Sequence, residues 1–262
     1  MVVLTGNGTA FSCGGNVKDM AKYLGEDIAP ATIRQDYQRG IQRLSLGIYN
    51  LGVPTIAAVN GPAIGAGLDL ACFCDIRIAS EKAKFSEAFV NLSIIPGDGG
   101  AWILPRVVGM SKAAEMAFSG ELIDAEAALH CGLVSQVVPH DDLMKVAMDK
   151  AQGIASKGAE VLRMVKSLLR DGQQGSSLQS HLEKAAGYQA IAHKTAEHRA
   201  AVEAARIGAM VAGGRDRLLE RGCVRAAVDQ ADIAPGFVFL EAVERMAGDD
   251  AGLAAAAGVE VD

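Results

Sequence analysis

Two glycine-rich stretches of this chain have the makings of backbone anion sites. Phe11-Ser12-Cys13-Gly14-Gly15-Asn16-Val17-Lys18 sets adjacent glycines where the main chain can approach a ligand closely and leave amide N–H groups unpaired. Gly61-Pro62-Ala63-Ile64-Gly65-Ala66-Gly67-Leu68-Asp69 leads into a short apolar helix, whose first amides also lack partners and carry the positive end of the dipole. Two such donors converging would hold an oxyanion, although each stretch taken singly is equally a tight turn. Asp69 follows Ala66 by three residues and shares its helical face. There a carboxylate can stand over a bound carbonyl compound, or simply complement the helix dipole. Asp98, inside Pro96-Gly97-Asp98-Gly99-Gly100, is a turn former or a second catalytic carboxylate.

Other chemistries fit less well. Leu70 stands where a dinucleotide-binding G-x-G-x-x-G would need its last glycine, and no phosphate-binding P-loop is present. The five cysteines (Cys13, Cys72, Cys74, Cys131, Cys223) form no Cys-x-x-Cys pair and read as free thiols; Cys13 as a nucleophile lacks an identifiable base. His130 and His140 lie far apart, and His193 and His198 are five residues apart rather than four, so they read as surface or interface residues and no metal site is expected. With 25 Lys and Arg against 31 Asp and Glu, the net charge of -6 excludes partners held by bulk positive charge, nucleic acid and anionic lipid among them. The first residues carry no signal-like apolar run and no segment is long enough to span a membrane, so a cytoplasmic location is expected.

The elements that must position these residues follow from pattern. Val2 to Thr5 is a strand running into Gly6-Asn7-Gly8. Ile33, Tyr37, Ile41, Leu44 and Ile48 step by three and four and predict one amphipathic helix over 32–50, ended by Gly52 and Pro54. Thr55 to Val59 is a strand covered on both faces, Leu68 to Cys74 a short helix, and Ile76 to Ala79 another strand, which makes an α/β unit. A helix begins near Ala101; Ser111 is expected to cap the helix 111–119 and Asp124 the one ending at Cys131; Leu133 to Val138 is a late strand. From Asp141 the pattern is helical, including one long stretch over 178–206. The chain is thus divided into a core (1–140), a helical region (141–206) and an Ala/Gly-rich tail (207–262) that packs weakly or stays partly disordered.

The two glycine motifs, their order and the acid after the second resemble the enoyl-CoA hydratase/isomerase (crotonase) family. The matching residues are VVLTGNGTAFSCGGNVKDM, PTIAAVNGPAIGAGLDLACFCDIRIAS, FSEAFVNLSIIPGDGGAWILPRVVG and AEMAFSGELIDAEAALHCGLVSQVVP, four motifs in family order between about Val2 and Ala204. The resemblance implies an α/β fold with a ββα spiral core, followed by helices that mediate homotrimers or dimers of trimers. Family members place a strand hairpin and a helix before the strand VVLTG, so the spiral is expected to lack its first strands here. It also implies an acyl-CoA thioester substrate, with coenzyme A as part of the substrate and no further cofactor.

Residue by residue, the resemblance places the oxyanion-holding amides at Gly15 and Ala66 and puts Lys18 and its loop (Cys13, Gly14) against the CoA nucleotide. Gly65, Phe89 and Gly97 fall on the substrate-binding loops, and Asp69 stands at the first catalytic acid. The hydratases' second glutamate falls at Phe89, which can neither deliver nor activate water. Asp98 lies one position from an aspartate of related isomerases and is expected to serve as the second acid/base. Glu87 is the weaker substitute, because strand alternation keeps it on the face of Phe89 only if the segment is extended. Phe89 and Trp102 line an acyl pocket or belong to the core. The expected activity is hydration of a 2-enoyl-CoA. Double-bond isomerisation and an inactive, acyl-CoA-binding scaffold are the alternatives.

Overall fold

The computed structural model describes residues 1–25 and 28–211, with side chains through 207; the chain falls into two compact units, 1–192 and 193–262. The first unit runs β1 (Val2–Thr5), α1 (Val17–Met20), α2 (Pro30–Arg39), α3 (Ile41–Tyr49), β2 (Thr55–Val59), β3 (Ala63–Ile64), α4 (Ala66–Phe73), β4 (Ile76–Ser80) and β5 (Lys84–Ser86). It continues through α5 (Gly100–Val108), α6 (Met110–Ser119), β6 (Ile123–Asp124), α7 (Ala125–His130), β7 (Gln136–Val138), α8 (Leu143–Ala155), α9 (Ala159–Gln173) and α10 (Leu178–Ala192). In the second unit α11 spans Ala196–Val211. Of the Ala/Gly-rich tail, residues 207–211 continue α11, and 212–262 lie outside the described residues.

Strands β1, β2, β4 and β7 form a parallel sheet in that order, with Val3 opposite Ile56 and Ala57 opposite Arg77. Every residue of β2 is buried, as its unbroken small apolar run requires. Its side chains alternate between two cores. Ala57 and Val59 join Leu68, Phe73, Phe85, Leu104 and Leu133, whereas Ile56 and Ala58 join Ile78 and the α8 residues Leu143, Ala147 and Ala151. A second sheet, β3-β5-β6, pairs β3 with β5 in parallel and β5 with β6 antiparallel.

Four boundaries differ from the sequence pattern. The helix expected over 32–50 is two helices, because Gly40 adopts φ -99°, ψ -109°, which no helix tolerates. Ser111 does not cap α6: the helix begins at Met110 behind Gly109, whose φ of 79° ends α5 and starts α6 without a side-chain bond. Leu133 and Val134 are buried but not in a strand; their N–H groups turn back to the Ala128 carbonyl and close α7, which Asp124 caps as expected by accepting from the Ala127 N–H. The stretch 178–206 is interrupted between Ala192 and Ala196.

Candidate active site

Both glycine loops are locked to each other by main-chain bonds. Ser12 N–H donates to the Pro62 carbonyl (3.1 Å) and Ile64 N–H to the Ser12 carbonyl (2.9 Å), so residues 11–14 run alongside β3 as an added strand. Gly14 (φ 75°) then turns the chain against the start of α4, where an added Cβ would lie 2.9 Å from the Ile64 carbonyl oxygen and 3.2 Å from the Ala66 nitrogen. Gly67 admits no side chain either, because the Ser12 carbonyl occupies the place of its Cβ. Gly65, at φ 53° and ψ -123°, makes the break from β3 into α4. The consequence is two amides side by side: Gly15 N–H and Ala66 N–H donate to nothing among the described residues, and both residues line one cleft of about 590 Å³.

That cleft is bounded further by Asn16, Asp19, Met20, Lys22, Tyr23, Asp36, Tyr37, Arg39, Gly40, Ile41, Phe89, Ile94 and Asp98. Lys22 and Tyr23 both hold Asp36, at 3.4 and 2.9 Å, across the top of α2. The bend at Gly40 presents Arg39, Gly40 and Ile41 to the cleft, which a continuous helix would not do. Lys18, Cys13 and Gly14 are exposed and lie outside the cleft lining; Lys22 is the lysine on its wall. Phe89 is on the wall, its ring 3.6 Å from where a Gly65 Cβ would be. Gly97 sits under the Tyr37 ring, its carbonyl accepting from Gln42 Nε2 at 2.7 Å. Trp102 is not part of the cleft: it stacks edge-on against Tyr49 with the Arg106 guanidinium over its face, 4.0 Å from the ring centroid.

Behind the amides three acids meet. Asp69 is 0%, Glu87 1% and Asp98 5% exposed. Both oxygens of Asp69, both of Glu87 and Oδ1 of Asp98 are buried with no hydrogen-bond donor outside the acid set, and Asp69 meets Glu87 and Asp98 through side-chain hydrogen bonds of its own. Only Asp98 reaches the cleft wall. Burial, then the Glu87 and Asp98 carboxylates, push Asp69 far above the usual carboxylate range. Burial and the Asp98 carboxylate push Glu87 up to about 7. Protonated and ionised carboxyls therefore coexist here at neutral pH. Gly100 completes the enclosure, since a Cβ there would overlap the Asp69 carboxylate.

Asp69 and Asp98, chosen from their motifs, are thus brought together, and Glu87 joins them. Its place follows from local geometry that alternation did not anticipate. After β5 the chain leaves the extended conformation at Glu87 (φ -87°, ψ 60°) and winds into a 3-10 turn over Ala88–Leu92. Glu87 is thereby turned into the acid cluster while Phe89 turns to the cleft. Among the described residues no group of three His, Cys, Asp or Glu is arranged to hold a metal ion, and no helix is long and apolar enough to cross a membrane. His193 and His198 face each other in the second unit, ring nitrogens 2.9 Å apart. Cys72, Cys74, Cys131 and Cys13 are free thiols; Cys223 lies outside the described residues.

Comparison with known proteins bears on the same residues. A profile of the enoyl-CoA hydratase/isomerase family matches residues 1–216. The chain is 39% identical over 172 residues to the 2,3-dehydroadipyl-CoA hydratase of Escherichia coli (strain K12), covering 66% of this chain and 64% of that protein. It is 36% identical over 168 residues to the mitochondrial methylglutaconyl-CoA hydratase of Homo sapiens, covering 63% of this chain and 48% of that one. It therefore spans about half to two thirds of the length of these curated relatives. Among solved structures, the enoyl-CoA hydratase/isomerase from Cupriavidus metallidurans CH34 superposes with a TM-score of 0.74 at 36% identity, over 79% of this chain and 76% of that one. The mixed α/β architecture with a parallel sheet and following helices, expected from the resemblance, is the fold observed.

Proposed function

This chain belongs to the enoyl-CoA hydratase/isomerase family, and from that premise we propose that it hydrates a 2-enoyl-CoA thioester without metal or redox cofactor. The observation that carries the reading is the conjunction of two unpartnered amides, Gly15 and Ala66, with a cluster of three buried carboxyls, Asp69, Glu87 and Asp98. In this mechanism the thioester oxygen accepts from both N–H groups, which stabilise the enolate formed as water adds at Cβ. Asp98, on the cleft wall, takes the proton from the attacking water. Asp69, held protonated one helical turn behind the Ala66 amide, supplies the proton to Cα. The relatives named above as hydratases support the same choice.

Double-bond isomerisation is favoured by one observation: Asp98 is the only member of the acid set on the cleft wall, and Phe89 occupies the wall beside it. A single acid/base moving a proton from Cα to Cγ needs no second group in contact with substrate.

Incubation of crotonyl-CoA and a 3-enoyl-CoA with the wild type, Asp98→Asn and Asp69→Asn, followed by mass spectrometry and ultraviolet absorbance, decides between them. A product heavier by one water, formed about 10²- to 10⁴-fold more slowly by either variant, is expected. An isomer of unchanged mass transfers the assignment to the second reading. A folded wild type that binds acyl-CoA and turns over neither substrate ends both and leaves the scaffold.

A further inference from the structure

Glu87 is the one member of the buried acid set for which the hydration scheme has no use. Yet it is 1% exposed, its oxygens meet no hydrogen-bond donor outside the acid set, and it lies off the cleft wall. Burying a carboxyl among other acids alone is costly, and such a group in a native protein asks for a reason. Among the described residues Glu87 makes no ion pair, and its side-chain hydrogen-bond contact is with another acid, Asp69. The groups that face it electrostatically are Asp69, one helical turn from Cys72 on α4, Cys72 itself, and Asp98 on the loop before α5. No cation is among them.

The two-acid hydration proposed above leaves a proton in the wrong place after each turnover. In hydration, Asp98 ends protonated by water and Asp69 ends ionised; the site must move one proton from the first to the second before it can act again. Asp69 is sealed from solvent, so that proton cannot come directly from bulk water. We infer that Glu87 is the positioning residue that resets the site, taking the proton from Asp98 and returning it to Asp69 with no net gain or loss. Its carboxyl meets that of Asp69 in a side-chain hydrogen bond and lies beside that of Asp98, which is the placement a shuttling group requires. The role rests on the hydration reading of the site, since a single acid/base moving a proton from Cα to Cγ returns to its starting state unaided.

The test compares the wild type with Glu87→Gln, which keeps the volume and removes the exchangeable acid proton, and with Glu87→Asp, which keeps the carboxyl. The expected result for Glu87→Gln is a 10- to 100-fold fall in kcat with KM for the enoyl-CoA changed less than threefold. The acid limb of the rate profile moves down by a pH unit or more, because the group titrating near 7 is gone. Glu87→Asp recovers at least a third of the lost kcat. Wild-type kcat and pH profile in Glu87→Gln, with turnover otherwise intact, overturn the shuttle and leave the enzymatic reading standing. Difference infrared spectroscopy supplies a readout that needs no turnover. A protonated-carboxyl C=O band at pH 8 that shifts in Glu87→Gln supports a shared proton even in an inactive chain, and a band untouched by the substitution overturns it.

Discussion

Asp69 and Asp75 lie six positions apart at opposite ends of helix α4, and the chain treats them in opposite ways. Asp75 is saturated. Its Oδ2 accepts from the Thr55 N–H (2.7 Å), the Thr55 hydroxyl (2.9 Å) and Lys166 Nζ (2.6 Å), and its Oδ1 from Arg170 Nη2 (3.0 Å). Lys166, although buried enough to lower its pKa, gives a further bond to the Val53 carbonyl at 2.7 Å. Asp69 is fully buried and meets only other acids, Glu87 and Asp98, with no cation or amide donor. An acid that holds a fold together is given every bond it can accept; a buried acid whose only partners are two other acids is held for a reaction. The N-terminal end of α4 is arranged for proton transfer and the segment after its C-terminal end for stability.

The comparison breaks most easily at Asp75. Substituting Asp75→Ala removes the anion between Lys166 and Arg170 and leaves two Thr55 donors unpaired, with Lys166 buried. The expected loss is about 3 kcal/mol in urea unfolding, since one partner of a buried pair is removed and the other stays behind. Turnover per folded molecule should be unchanged within a factor of about two. If the midpoint of unfolding stays where it was, the hub does not tie α9 to the sheet, and saturation is no sign of a structural role.

The two ends of α4 also differed in how far the sequence disclosed them. Asp69 was legible because its surroundings are local: a glycine-rich turn, a helix start and an acid three residues on are read from nine consecutive positions. Strand β2 was equally plain, since a continuous small apolar run has no other use in a soluble fold. The Asp75 hub was not legible, because Lys166 and Arg170 stand 91 and 95 residues away and no periodicity links them to it. Glu87 was assigned by alternation in a segment that stops alternating one residue after β5. Trp102 is an aromatic whose position in a motif suggested the pocket, yet its contacts to Tyr49 and Arg106 are set by the face of α5 on which it falls. Short-range chemistry could be read; the handedness of a turn and the identity of a distant partner could not.

A smaller effect is expected where the unsaturated acid is enclosed. Gly100 is the first residue of α5, a position any residue's backbone would accept, and only the Asp69 carboxylate forbids a side chain there. Gly100→Ala should cost about 2 kcal/mol by overpacking. The diagnostic is coupling rather than the cost itself. In an Asp69→Ala background, where the carboxylate is gone, the same change should cost under about 0.5 kcal/mol, giving a clear non-additive term. Equal costs in both backgrounds would falsify the close approach of Gly100 to Asp69.

The last difference between the two acids is thermodynamic and has a definite sign. Asp69 has a folded-state pKa raised above its ordinary value of 3.8, so over the window from there to its raised value the folded chain binds more protons than the unfolded one. Stability contributed in this way is fully present at low pH and is lost as pH rises. Glu87 acts with the same sign, but its share of the loss is complete above about 7. The melting temperature of the wild type should therefore fall from pH 5 to pH 8, in the direction opposite to a protein held by ion-paired carboxylates. Asp69→Asn should flatten the slope at pH 7 to 9, and Glu87→Gln the slope at pH 5 to 7. At pH 8 the Asn variant gains on the order of 1 kcal/mol, the relief from neutralising a buried acid less the cost of burying an unpaired amide. A wild-type melting temperature that rises across this range would mean that the acid set is ionised and paired in solution. A cluster of acids alone would then not be the resting state of the site.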